Sequence, residues 1–251
     1  MSSCLSNSSY ILMEDFSQVG ENWIIQFDAP KEAGVMQYCA IIGDIVGSRK
    51  LKNRFMVQQE FLAAAELANC EFREYIESAF TVTIGDEFQV LLRKISAAPR
   101  VIEFVKHTMS DVEFLFGVGI GGMATEIKTT AIGMDGPAFH FARKALERAK
   151  KRKRPSVVFE STIIGIEMLN ALQFFIESCE KRQSKRQKEA IYHLRRNLTQ
   201  DNVAEIMGIR QQSVHDLLAN AYWTELEEAR EAIAAYLEKI EDDAESRLLT
   251  R

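Results

Sequence analysis

The chain has 251 residues, 47% of them hydrophobic, enough to bury one sizeable core and a smaller one, so two domains are the working expectation. No apolar run approaches the roughly 18–20 residues of a membrane span, and the N-terminus lacks the basic-then-apolar order of a secretory signal; the expectation is a cytoplasmic protein with no membrane partner. The formal net charge of −5 excludes a uniformly basic nucleic-acid binder, and Cys4, Cys39, Cys70 and Cys179, far apart and without a CxxC pair, read as reduced thiols rather than a zinc site or disulfide framework.

The charge is unevenly placed. Residues 144–154 hold seven Lys/Arg against one Glu, residues 181–196 another seven against one, and residues 224–251 nine Asp/Glu against four Lys/Arg. A basic middle can meet an anionic partner while the acidic tail faces solvent or a second subunit.

In chain order, residues 1–35 read as an N-terminal extension, either without fixed order or adding one strand. Met36 directly precedes the first strong strand, which makes it a candidate natural start. The run from Tyr38 through Ile45 is a buried strand that stops at a polar turn. A long helix is expected over residues 53–76, with Phe55, Leu62, Leu67 and Phe72 among its apolar positions. Two strands, 80–84 and 88–92, are joined by Gly85-Asp86-Glu87, a connection suited to a hairpin. A helix over 99–109, a strand over 114–120, a helix over 136–150 and a strand over 156–159 follow. The fold class is α/β (α+β): a ferredoxin-like palm, βαββαβ with helices on one face plus an extra helix and strand, spanning residues 36–162. Residues 163–251 are expected to be helical, beginning with a helix over 163–184, with a helix-turn-helix at about 186–221 and a C-terminal helix over 224–242.

Asp44 falls at the end of the first strand, and Asp86 with Glu87 on the hairpin; a βαββ arrangement makes those places neighbours. Carboxylates gathered at one sheet edge repel each other and are costly to desolvate, so a site that keeps them commonly holds a divalent cation. Mg²⁺ or Mn²⁺ is the expected metal, because Mg²⁺ is typically held by one or two carboxylates plus substrate phosphates. The loop Ile45-Val46-Gly47-Ser48-Arg49-Lys50 offers a glycine turn, free backbone N–H groups, a hydroxyl and two cations where a triphosphate would extend. It is not a Walker A loop, since the GxxxxGK[ST] spacing is absent. Taken singly, Asp44 is equally a turn former, and Asp86 a residue that hairpins favour for backbone reasons.

Four blocks carry a resemblance: Ile42-Gly43-Asp44-Ile45-Val46-Gly47-Ser48-Arg49, Thr83-Ile84-Gly85-Asp86-Glu87-Phe88-Gln89, Phe116-Gly117-Val118-Gly119-Ile120-Gly121 and Gly133-Met134-Asp135-Gly136-Pro137-Ala138. Together they resemble the SatD family over about residues 37–220, whose members join such an α/β part to a C-terminal helix-turn-helix. More distantly the blocks are similar to class III nucleotidyl cyclase and GGDEF palm domains. That resemblance implies metal ligation by Asp44 and Asp86, with Glu87 as an additional ligand. His140 then stands where cyclases carry a ribose-orienting Asn, Lys144 where they carry a catalytic Arg, and Arg143 is shifted by one. An ammonium does not replace a guanidinium fork on transferring phosphoryl oxygens, so nucleotide binding survives these changes more readily than turnover. His140, Arg143 and Lys144 are equally readable as the solvated face of a helix that continues into the basic run.

In the second part, Val203, Ala204 and Ile206 supply the inner face of one helix, Gly208 the turn, and Ile209, Val214, Leu217 and Leu218 anchor the next. Arg210, Gln211, Gln212, Ser213 and His215 are left exposed at the start of that second helix, where a recognition helix meets base edges. A basic helix over 181–196 is placed for phosphates. The last helix, apolar at Leu226, Ile233, Leu237 and Ile240, suits a homodimer or closes the domain. The leading expectation is a DNA-binding regulator that holds a divalent metal and a nucleotide. Its alternatives are a nucleotidyl cyclase or other phosphoryl-transfer enzyme, with no catalytic residue assigned, and an inactive palm scaffold.

Overall fold

A computed structural model describes residues 36–48, 54–82, 87–151 and 156–249. The sheet has five strands: β1 (Tyr38–Ile45), β2 (Ile76–Val82), β3 (Glu87–Leu92), β4 (Phe114–Gly121) and β5 (Val157–Glu160), in the order β2-β3-β1-β4-β5. All neighbours are antiparallel except β4 and β5, which run parallel. Helices α1 (Arg54–Glu71) and α2 (Ala98–Thr108) complete the βαββαβ unit, so the ferredoxin-like palm topology is as expected. The parallel β4-β5 pair requires a crossover, supplied by α3 (Pro137–Lys151).

Alternation along β1 separates a core on each face of the sheet. Cys39, Ile41 and Ile45 point into the larger core with α1 and α2, whereas Ala40 and Ile42 face α3 on the other side. The expectation of helices on one face therefore holds for α1 and α2, and α3 departs from it: its alanine stripe covers the second face, which would otherwise lie in water. Phe61, Phe80, Phe88, Phe114 and Phe116 fill the larger core with ring centroids 5.0–6.2 Å apart. Gly43 is required there, since a Cβ would lie 2.2 Å from the Phe88 ring.

Two local expectations are corrected in this layer. The first helix stops at Glu71 and β2 begins at Ile76, because Phe72 enters the core and its carbonyl accepts from both Tyr75 and Ile76, a turn made without glycine or proline. The buried side of α1 is Phe61, Ala64, Ala65 and Ala68; Phe55 is 71% exposed and Leu67 55%.

The rest is helical: α4 (Ile166–Arg182), α5 (Lys185–Leu194), α6 (Gln200–Met207), α7 (Gln211–Ala219) and α8 (Trp223–Leu249). The basic run over 181–196 is not one helix. It breaks at Ser184, whose hydroxyl accepts from the Gln187 N–H while the Gln187 side chain accepts from the Ser184 N–H, the reciprocal cap of a new helix. Helices α5, α6 and α7 share a small core of Ala190, Ile191, Val203, Ala204, Val214 and Leu218. Helix α8 buries Leu226, Ile233, Leu237 and Ile240 in the same core as the sheet, together with Ile166, Leu169 and Ile176 of α4. Of the two uses the sequence offered for that stripe, the chain itself takes it, and it does not serve a dimer. Glu241 fastens α8 further: its carboxylate accepts from the Ser96 N–H at 2.9 Å and from the Ser96 hydroxyl at 3.0 Å. Among the described residues, no helix is long and apolar enough to cross a membrane.

Candidate functional site

The site is built by the way α3 lies on β4. Gly117, Gly119 and Gly121 alternate along β4 and so share one face, where a Cβ on Gly117 would sit 2.1 Å from the Ala142 carbonyl oxygen and one on Gly119 2.1 Å from that of Ala138. Helix α3 answers with buried Ala138, Ala142, Ala145 and Ala149, spaced to form one stripe. Backbone therefore meets backbone, and the charged rows flanking the stripe are brought down onto the sheet edges.

One row is Arg143 and Lys150, a spacing of two turns. Arg143 makes a bidentate pair with Glu87, Nη1 to Oε2 at 2.5 Å and Nη2 to Oε1 at 2.7 Å, and Lys150 Nζ lies 3.2 Å from Asp44 Oδ2. Asp44 and Glu87 are direct partners across β1 and β3, and their side chains are only 20% and 19% exposed. The hydrogen bond to Glu87 holds the Arg143 guanidinium charged above its already high ordinary value, with burial opposing and Glu147 and Asp44 adding to the effect. The other row is Lys144 and Arg148, which donate to the two oxygens of Glu160 at 2.7 and 2.6 Å; Arg148 also reaches Glu167 at 3.0 Å. Burial pushes the Glu160 carboxyl up, but the two cations together outweigh it and hold that carboxyl below the usual range.

Of the residues singled out in the sequence, Asp44, Glu87 and Arg143 come together. Asp86, Arg49 and Lys50 lie outside the described residues. Lys144 is turned away to Glu160, and His140 pairs through Nε2 with Asp135 Oδ1 at 2.6 Å on the surface. In the candidate phosphate loop, Gly47 has a left-handed φ of 67°, Ile45 and Ser48 are buried and Val46 is exposed. The Val46 N–H is not free as expected, because it donates to the Glu113 carbonyl at 2.8 Å. Lys150, Arg148 and Glu160 are the participants the sequence reading left out. The signal for them was present: cations at 143/150 and 144/148 flank an alanine stripe on either side, so each row must meet whatever borders the strands it covers.

The donor set can be tested against a metal. Among the described residues, no group of three or more His, Cys, Asp and Glu side chains is placed to hold one. Asp44 and Glu87 are hard oxygen donors, but Lys150 and Arg143 already neutralise them, so the pair suits a divalent ion that arrives with phosphates of its own better than a resident metal.

On the helical side, α6 ends at Gly208, left-handed at φ 63°, and α7 begins after Arg210. Arg210, Gln211, Gln212, Ser213 and His215 are all exposed. Gln211 donates to Gln200 and Gln212 to Asp216, both at 3.2 Å. Ile206 is corrected: it is 54% exposed, and Met207 packs on the small core instead.

The family model described as the SatD family matches residues 38–220. This chain belongs to the SatD family. The matched segment of this SatD-family chain runs from the first residue of β1 to the residue after α7, and so includes both carboxylates and the exposed row of α7. No curated protein matches the chain. Solved structures similar to it include a bacterial light-regulated adenylyl cyclase, 15% identical over 55% of this chain and 80% of that one, with a TM-score of 0.40. The adenylyl cyclase CyaB from P. aeruginosa is 10% identical over 49% and 76%, TM-score 0.37. The diguanylate cyclase SiaD from Pseudomonas aeruginosa is 21% identical over 49% and 50%, TM-score 0.37.

Proposed function

We propose that this SatD-family chain is a DNA-binding regulator whose palm site takes a nucleotide together with Mg²⁺ or Mn²⁺. The observation that carries the reading is the first turn of α7: Arg210, Gln211, Gln212, Ser213 and His215 all face solvent while Val214 and Leu218 fix the helix from beneath. Arg and Gln are the side chains that make bidentate contacts to guanine and adenine in the major groove, and the long Gln211 and Gln212 bonds are weak enough to exchange for base contacts. Exposed Lys185 and Arg186 on α5 are available for backbone phosphates. A homodimer would set two such helices on a palindromic site, through a surface other than the buried stripe of α8.

In the palm, Asp44, Asp86 and Glu87 would hold the metal and Arg143 the phosphates. With a nucleotide and metal bound, Asp44 and Glu87 would exchange Lys150 and Arg143 for the metal, and the two released cations would meet phosphate oxygens. Neither metal alone should bind measurably. A second reading, a phosphoryl-transfer enzyme, is favoured by Arg143 standing beside the two carboxylates, since a guanidinium there can stabilise a transferring phosphoryl group.

Calorimetric titration of the four nucleoside triphosphates, with and without Mg²⁺ or Mn²⁺, tests the palm on wild type and on Asp44→Asn/Asp86→Asn. Metal-dependent heat that the double variant loses is the expected result; silence from all four nucleotides in folded protein would leave the acidic pair as scaffold. A new product on chromatography of the same samples would put the enzyme first. For the second half, selection from random duplexes followed by mobility shift should yield a sequence preference that Arg210→Ala weakens by about 1–3 kcal/mol. No selected sequence, or an unaltered shift, would remove the DNA reading.

A further inference from the structure

A cavity of about 820 Å³ opens where α2, the end of α4, α5 and the start of α8 meet, and neither Asp44 nor Glu87 lines it. Phe72, Phe104, Ile191 and Leu226 give it apolar lining. A second chamber of about 210 Å³ shares Glu103, Lys106, His107, Glu180, Arg195 and Arg230 with it. The volume of the larger cavity falls in the ordinary range for small-molecule sites.

The lining has aromatic faces and surplus positive charge. The His107 and Tyr192 rings stack with centroids 5.7 Å apart and 23° between planes, and the Arg195 guanidinium lies 5.7 Å over the Trp223 ring. The carboxylates are largely committed: Arg195 engages Glu103 and Glu227, Arg230 engages Glu180 and Glu227, and Glu177 accepts from the Val157 N–H with Lys106 at 3.9 Å. Of the lining carboxylates, Glu113 alone has no cationic partner among the described residues. Against it stand Arg100, Lys181, Lys188 and Arg196, none paired with a carboxylate among the described residues.

We propose that this cavity is a second ligand site, for a small molecule with a planar aromatic ring and a phosphate. The ring would lie against Tyr192, His107 and Trp223, and the phosphate would meet Lys181, Lys188 and Arg196. Stacking on aromatic and guanidinium faces together with charge-assisted hydrogen bonds is the chemistry that recognises such a compound. A DNA duplex is the poorer occupant: it presents phosphates but keeps its base faces stacked inside, where they cannot meet the aromatic side chains. Because α2 belongs to the sheet layer and α5 to the smaller helical core, a ligand between them bridges the two.

The probe is AMP, titrated into the full chain carrying Trp23→Phe, in EDTA so that the acidic pair holds no metal, with Trp223 emission and calorimetry as readouts. Saturable binding is expected, weaker for adenosine or inorganic phosphate alone. Lys188→Glu/Arg196→Glu should weaken it about tenfold or more, with unchanged circular dichroism, while Asp44→Asn leaves it as it was. The proposal is overturned by a lack of saturable AMP binding, by binding that the cavity variant does not weaken, or by binding that Asp44→Asn abolishes. Loss of duplex binding without any AMP binding would equally overturn it and make the cavity a DNA-backbone contact.

Discussion

Glu177 on α4 is a carboxylate in an unfavourable place. Burial pushes its carboxyl above the ordinary value, against the opposing influence of Lys106, the Val157 N–H and Gln173, and Glu180 pushes in the same direction as burial. A raised folded value means that the folded chain keeps a proton which the unfolded chain gives up, so this group removes stability as pH rises from the ordinary carboxylate value of about 4.3 through the folded value. Glu177→Gln should therefore be more stable than wild type at pH 7 by chemical denaturation, because the amide oxygen still accepts from Val157 and no charge is buried. The gain should shrink as pH falls and vanish below the ordinary value; a variant less stable at pH 7, or a gain independent of pH, would show that the Lys106 pair outweighs the burial. Glu160 has the opposite sign, since its partners hold its carboxyl low and its contribution is lost as pH falls.

The packing of α3 on β4 belongs to the scale of elements. Gly119→Ala would place a methyl 2.1 Å from the Ala138 carbonyl oxygen and 2.2 Å from the Ala142 nitrogen, both backbone atoms of a helix that cannot give way locally. It should cost about 1–3 kcal/mol or more in urea unfolding. It should also separate Arg143 from Glu87, read as weaker metal-dependent nucleotide binding at temperatures where the chain stays folded. Gly47→Ala, where a Cβ meets nothing within 4 Å, is the contrast: it adds backbone strain but no collision. Unaltered stability of Gly119→Ala would mean that α3 moves off the sheet at no cost. The alternation of those glycines was legible in the sequence, as were the apolar runs of β1, β4 and β5, because a buried strand needs nothing outside itself to be recognised. The start of β2 was not, since the turn after Glu71 depends on where Phe72 goes and no breaker residue marks it. The carboxylates Asp44 and Glu87 could be placed as neighbours from the order of elements alone. Their cationic partners could not, because only the tertiary contact of α3 decides that Lys150 meets Asp44 while Lys144 meets Glu160.

For the whole molecule, α8 is the element that decides whether the chain behaves as one unit. Its first residue, Trp223, packs on the small core of α5, α6 and α7, while Leu226, Ile233, Leu237 and Ile240 lie in the core of the sheet. Arg195 of α5 adds ion pairs to Glu103 of α2 and Glu227 of α8. The small core alone buries few side chains and has little capacity to offset the entropy of ordering three short helices. It should therefore depend on α8 staying docked. Leu237→Ala removes a fully buried side chain well away from Trp223, at an expected cost of about 2–5 kcal/mol. With Trp23→Phe in place, emission reports Trp223 alone, since the chain has two tryptophans. One cooperative unit requires that Trp223 emission and far-ultraviolet circular dichroism shift together to the same lower midpoint. If emission instead kept its original midpoint while the dichroism split into two steps, the three helices would fold on their own, and α8 would be a tether between two independent parts. The outcome bears on the proposed function, because a nucleotide in the palm would reach α7 through α8 only if the core of the sheet and the small helical core respond as one.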